Sequence, residues 1–148
     1  MSAHRQHAHL DAPVETVWAL VGAPDRYPEW WPRVIEVRGE RFEQGEEFVQ
    51  VIRTPFGASG SNFLIDVRDE LHEIRMTCEL TGTYAHWSLT PAQDGTFVEV
   101  ELGMETKRLS DKVFDSTVGR AYFRTWSERS LAGLEAAACR SDDDAPHA

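Results

Sequence analysis

A chain of 148 residues, 41% hydrophobic and 27% charged, has the composition of one ordinary globular domain with a real core. Its formal net charge of -10 disfavours phosphate backbones and anionic lipid surfaces, so nucleic acid and membrane surfaces are poor partners. No apolar run approaches the ~18 residues of a membrane span. The opening MSAHRQHAHL lacks the apolar stretch of a secretory leader, and two distant cysteines, Cys78 and Cys139, make no disulfide framework; a cytoplasmic protein with free thiols is expected.

His4 to Leu10 alternates weakly and reads as an edge strand. Asp11-Ala12-Pro13 then starts a helix, with proline at the first helical position and Asp11 as cap or dipole complement. Val14, Val17, Trp18 and Val21 fall on one apolar face, and Gly22 ends the helix. Pro24-Asp25-Arg26-Tyr27 begins a second, shorter helix, closed by Pro28 and the Trp30-Trp31-Pro32 run.

From Arg33 to Glu105 the pattern has period two. It is broken at Glu43-Gln44-Gly45, Pro55-Phe56-Gly57, Asp69-Glu70, Thr81-Gly82-Thr83 and Asp94-Gly95. The last is a strong tight-turn dipeptide whose residues would need positive φ. Six strands fit between these breaks, seven with the first, and the short connections make them mostly antiparallel. Ser110-Asp111 then caps a helix from Lys112 to about Ala138. Its apolar residues read as two stripes, Phe114, Val118, Ala121 and Tyr122 against Leu131, Leu134 and Ala138. Gly119 and Gly133 are candidate weak points. The stretch 140–148, RSDDDAPHA, reads as a disordered acidic tail after a single domain over 1–139.

Four strands define an inward face. Phe63, Ile65 and Val67 share it with Ile74, Met76, Cys78 and Leu80, with Ala85, Trp87 and Leu89, and with Val98, Val100, Leu102 and Met104. Asp66, Arg68, Glu73, Arg75, Glu79, His86, Ser88, Glu99, Glu101 and Glu105 alternate with them and face solvent. Arg75 is a candidate cross-strand partner for the glutamate row. Among the inward positions only Cys78 carries a reactive group, whereas general acid–base chemistry needs a titratable group at the reacting atom. Cys78 itself reads as a small buried hydrophobe with no cationic neighbour in sequence. Glu36, Gln50 and Arg53, in ambiguous alternation, and Asp115, Thr117, Tyr122 or Arg124 of the last helix remain possible polar cavity groups. His4, His7 and His9 match no strong zinc spacing and read as solvated. Gly57-Ala58-Ser59-Gly60 lacks the lysine and helix of a phosphate loop. Trp18 reads as core. Trp30 and Trp31 read as core plug or cavity rim, and Trp87 and Trp126 as core or cavity wall.

With this order of elements, Ala12-Pro13-x-x-x-Val17-Trp18 followed by Pro28-x-Trp30-Trp31-Pro32 resembles the entry region of the START-like superfamily. More narrowly it resembles the small bacterial polyketide cyclase/dehydrase-type, or SRPBCC, proteins, over residues 4 to 138. The resemblance implies an α+β helix-grip fold. A seven-stranded antiparallel curved sheet would wrap the long C-terminal helix, with two short helices after the first strand and an internal hydrophobic cavity. It also implies an apolar ligand, since members bind lipids, sterols, hormones or polyketides and a minority are enzymes. In the aromatase/cyclase branch an inward arginine on a central strand holds the polyketide. Arg68, placed outward by the alternation, departs from that pattern, so no catalytic residue is carried over.

The leading expectation is therefore a binder of a lipid- or polyketide-like molecule. Its cavity would be lined by Trp30, Trp31, Phe63, Ile65, Met76, Cys78, Trp87, Leu89, Val98, Val100, Phe114, Val118, Tyr122 and Trp126. Gln50, Tyr122 and Arg124 are the candidate polar groups, and no metal or cofactor is expected. The alternative is a polyketide cyclase, aromatase or dehydrase that works by orienting its substrate. A third reading is a stress or toxin–antitoxin helper, or a weak homodimer using the second helix stripe; otherwise the chain is a monomer.

Overall fold

From the second strand onward, connections of two to eight residues between consecutive strands leave no room for parallel crossovers, and the computed structural model shows the resulting meander. It describes residues 2–54, 56–104 and 118–143. The elements are β1 (Ser2–Leu10), α1 (Val14–Val21), a 3-10 turn (Pro24–Arg26), α2 (Tyr27–Trp30), β2 (Val34–Arg38), β3 (Glu47–Thr54), β4 (Gly57–Asp69), β5 (Glu73–Cys78), β6 (Thr83–Ala92), β7 (Gly95–Met104) and α3 (Val118–Asp143). The seven strands form one antiparallel sheet in the order β1-β7-β6-β5-β4-β3-β2. β1 and β2 are thus opposite edges, and residues 11–33 carry the chain from one edge to the other. That is why the two small helices come directly after the first strand. With α3 packed against β1, β7, α1 and α2, this is the helix-grip arrangement.

Local chemistry sets most boundaries. Pro13 stands at the N-cap of α1, one position before the first helical residue rather than at it, and no side chain caps this helix. Gly22 is its C-cap and donates to the Trp18 carbonyl. Pro28 lies inside the first turn of α2 rather than closing it, as a proline can where no intrahelical donor is needed. The β6–β7 turn centres on Gln93 and Asp94. Asp94 is not at positive φ, so the expected Asp-Gly turn geometry does not form. Gly95 is instead required by a close approach, because a Cβ there would lie 2.0 Å from the Leu10 carbonyl oxygen.

Three expected face assignments change. The β4–β5 register slips between Ile65 and Val67, and such a bulge inverts the alternation beyond it. Val67 therefore pairs with outward Arg75, while Arg68 pairs with inward Ile74. β5 also ends at Cys78, so Leu80 belongs to a turn and is 78% exposed.

The helix differs as well. Phe123, Trp126, Ser127, Ser130, Leu131, Leu134, Ala137 and Ala138 are all buried, and they form one continuous stripe at helical spacing. The two serines conceal it from a hydrophobicity reading. Their hydroxyls donate back to the carbonyls of Arg124 and Trp126, which lets a polar residue sit in a core stripe. Ala121, assigned to the stripe by sequence, is exposed. Leu131, Leu134 and Ala138 pack into the domain core, so the second surface suggested for a homodimer is internal. Gly133 is no weak point. A Cβ there would lie 2.2 Å from the Trp30 carbonyl oxygen, so the glycine lets α3 close onto the end of α2. The helix runs to Asp143, past its expected end at Ala138 and four residues into the expected tail. Its expected start, Ser110 to Lys112, with Phe114, Asp115, Thr117 and Glu105, lies outside the described residues, as do 144–148.

Candidate functional site

The space between sheet and α3 is divided. One half is filled by aromatic rings. Trp30 and Trp31 stack at 5.7 Å, Trp31 stacks on Trp126 at 5.7 Å, and Trp87 meets both Trp30 and Trp31 edge-on at 5.4 and 5.5 Å. Tyr27 closes the group against Trp30 and Trp31 at 5.5 and 4.8 Å. Its hydroxyl donates to the Val21 carbonyl at 2.6 Å. Burial pushes its pKa far up, outweighing the Arg68 charge; the phenol stays protonated. The indole nitrogens of Trp30, Trp31 and Trp87 are buried without a hydrogen-bond partner, and the rings pack on one another within the buried core. Trp30 and Trp31 are core, not cavity rim.

The other half is open. A cavity of about 250 Å³ lies between α3 and strands β3 to β7. Its walls follow from register. Gln50 opposes Ser61, Ile52 opposes Ser59, Phe63 opposes Cys78, and Thr83 opposes Met104, and directly opposed residues share a sheet face. Thr81 from the β5–β6 turn and Tyr122, Phe123 and Trp126 from α3 complete it. Serine at 59 and 61 puts small side chains at two of these wall positions. A neighbouring groove of about 510 Å³, lined by Gly60, Ser61, Asn62, Cys78, Glu79 and Leu80, shares Ser61 and Cys78 with the cavity. It exists because β5 stops at Cys78 while β4 continues beside β3.

Of the residues expected at the site, Phe63, Cys78, Tyr122, Trp126 and Gln50 line this cavity. Ile65, Met76, Trp87, Leu89, Val98 and Val100 are on the inward face but belong to the closed core. Arg124 is exposed and is not among the lining residues; it projects away because its neighbours Phe123 and Trp126 take the inward side of the helix. Phe114 lies outside the described residues, and the Val118 side chain is likewise not described. Sequence reasoning missed Ile52, Ser59, Ser61, Thr81, Thr83 and Phe123, and placed Met104 inward without assigning it to the site. Running the β4 alternation back from Phe63 would have found the two serines, and the i,i+3 spacing to Trp126 would have found Phe123. Gln50 lies between buried Phe48 and half-buried Ile52 on one face of β3, which resolves the ambiguous alternation there; Glu36 and Arg53 are exposed.

The chemistry of the lining is mostly apolar with scattered hydroxyls. Among the described residues that line it, Cys78 and Tyr122 are the titratable groups, and none is Asp, Glu, His, Lys or Arg. The Tyr122 ring carries the Arg33 guanidinium 5.1 Å from its centroid. Arg33 itself has φ +76°, a left-handed backbone at the exit from the Trp-Trp-Pro run, held by Arg53, whose amide donates to the Arg33 carbonyl at 2.7 Å. Trp126 spans both halves and donates its indole N–H to the Pro32 carbonyl at 2.9 Å.

Arg68, although inward, lies away from this cavity. It donates to the Gly22 carbonyl at 2.7 Å and to Glu70 at 2.8 Å, with its guanidinium 5.2 Å from the Trp18 ring centroid. Trp18 donates to the same Glu70 carboxylate at 2.7 Å. Burial pushes the Glu70 carboxyl up, but these donors outweigh it and hold the pKa below the ordinary range. The arginine is thus a clamp between α1 and the β4–β5 turn. On the outer face Arg75 pairs with Asp66, and Glu99 and Glu101 face Arg5 of β1 at 3.6 Å. His7 lies 5.4 Å from the Phe97 ring, His9 lies 3.6 Å from Asp11, and His4 is hydrogen-bonded to Gln6.

Residues 2–138 match the family model described as polyketide cyclase / dehydrase and lipid transport. No curated protein matches the chain. Among solved structures, an AHSA1-like protein from Aeromonas hydrophila superposes with a TM-score of 0.72 at 14% identity, covering 99% of this chain and 98% of that one. A START superfamily protein from Mycobacterium smegmatis gives 0.70 at 17%, covering 97% and 99%. The di-domain ARO/CYC StfQ of the steffimycin biosynthetic pathway gives 0.72 at 20%; 95% of this chain covers 50% of that one. At these identities the likeness is one of fold.

Proposed function

The chain belongs to the polyketide cyclase / dehydrase and lipid transport family, and from that premise we propose that it binds a hydrophobic small molecule between α3 and the sheet. The observation that carries this reading is the open half of the interior: about 250 Å³ walled by Phe63, Met104, Phe123 and Trp126. Folding on its own favours filling such space, because each void forfeits packing. Apolar pockets with a few polar groups are what small-molecule sites look like. The test is a thermal-shift panel of fatty acids, sterols and aromatic polyketides, with native mass spectrometry of protein purified from its own host. A retained ligand or a rise in Tm supports the reading. No shift across the panel and an empty mass spectrum overturn it.

A second reading is supported by Gln50 and Tyr122, which both reach the cavity. There the protein would be a cyclase, aromatase or dehydrase that folds and orients a polyketide-like chain, chiefly by proximity. Turnover of a poly-β-keto thioester to a cyclised product, lost in Tyr122→Phe or Gln50→Leu, separates it from simple binding.

A further inference from the structure

We propose that the ligand is a neutral, fused-ring molecule whose hydroxyl donates a hydrogen bond to the side-chain oxygen of Gln50. This rests on reading the cavity as the ligand site. Gln50 is 2% exposed, and its Oε1 is buried with no hydrogen-bond partner. The side chain lies on the inward face opposite Ser61 and forms part of the cavity wall. A buried acceptor left unpaired is costly, and β3 carries this one between the apolar residues Phe48 and Ile52 of the same face. A ligand donor supplies the missing partner.

The rest of the lining narrows the class. Among the described residues no charged side chain lines the cavity, so a carboxylate or ammonium would be desolvated without a counter-ion. Phe63, Tyr122, Phe123 and Trp126 offer aromatic surface, which favours rings over flexible acyl chains. Size sets a lower bound on the number of rings. A cavity of on the order of 150 Å³ holds one benzene, so about 250 Å³ takes at least two fused rings, and the adjoining groove leaves room for substituents.

The experiment compares 2-naphthol, 2-methoxynaphthalene and 2-naphthoate by calorimetry on the full chain, as wild type and as Gln50→Leu. The wild type binds 2-naphthol about tenfold more tightly than the ether, the worth of one well-made hydrogen bond, and binds the carboxylate weakest. Gln50→Leu treats naphthol and ether alike and melts no lower than the wild type, since it removes an unpaired polar atom. Equal wild-type affinity for naphthol and ether overturns the inference and leaves hydrophobic binding intact. So does discrimination that survives in Gln50→Leu. The wild-type comparison alone decides if the variant does not fold. Failure of both naphthol and ether to bind overturns the inference together with the proposed function.

Discussion

Single atoms decide what the tryptophans do. Trp126 donates its indole N–H to Pro32, whereas the same group of Trp30 is buried and unpartnered. Replacing either by phenylalanine removes similar apolar area, but only Trp126→Phe strands an acceptor. Trp126→Phe should therefore cost about 1 kcal/mol more than Trp30→Phe, read as a difference in urea midpoint at constant slope. Gly133 gives a sharper case. Alanine is normally the better helix former by about 1 kcal/mol, so sequence alone favours Gly133→Ala. Here the added Cβ would lie 2.2 Å from the Trp30 carbonyl oxygen, a backbone atom that cannot rotate away. The substitution should instead destabilise by about 1–3 kcal/mol, the usual cost of overpacking; a Tm at or above that of the wild type would contradict this. No periodicity reveals such a site, because the contact depends on how α3 crosses α2.

Elements show where the sequence could be read and where it could not. The number of strands and the places where they break followed from period two, since half-buried antiparallel strands must alternate. The bulge between Ile65 and Val67 escaped because Val67 continues the apolar alternation as a string of letters while the backbone turns it outward. The α3 stripe escaped because Ser127 and Ser130 are polar by composition but satisfied within the helix. The bulge has a consequence at α1. By turning Arg68 inward it assembles the clamp of Arg68, Glu70, Trp18 and Gly22. Glu70 has its folded-state pKa lowered, so its contribution is present above the ordinary carboxylate range and is lost as pH falls through the folded-state value. The carboxylate is well exposed, so solvent screening keeps the contribution small. Glu70→Gln should lower Tm slightly at pH 7 and converge with the wild type as the pH falls below about 4, the usual range of a glutamate. A constant gap across that range would show that the carboxylate charge is not the cause.

At the scale of the whole molecule, the sheet and α3 enclose one interior that is packed at one end and open at the other. The inward face could be read from sequence, but not this division, because alternation assigns a residue to a face without saying what opposes it. Trp30, Trp31 and Trp87 pack against one another, whereas Ser59 and Ser61 put small side chains on the wall of the cavity that remains. The two ends should respond to substitution in opposite ways. Trp87→Ala removes a ring at the junction of Trp30 and Trp31 and should cost about 3–5 kcal/mol, with no gain in ligand capacity that offsets it. Ser61→Leu places an apolar side chain in the open half. If that half is unfilled space kept for a ligand, the variant should gain about 0.5–2 kcal/mol, as cavity-filling changes commonly do. It should also lose the Tm rise that a naphthol or polyketide probe gives the wild type. Stability and binding thus trade against each other at one position. A Ser61→Leu protein that is destabilised but still binds would mean the wall moves aside, and the open half would be a breathing core rather than a formed site.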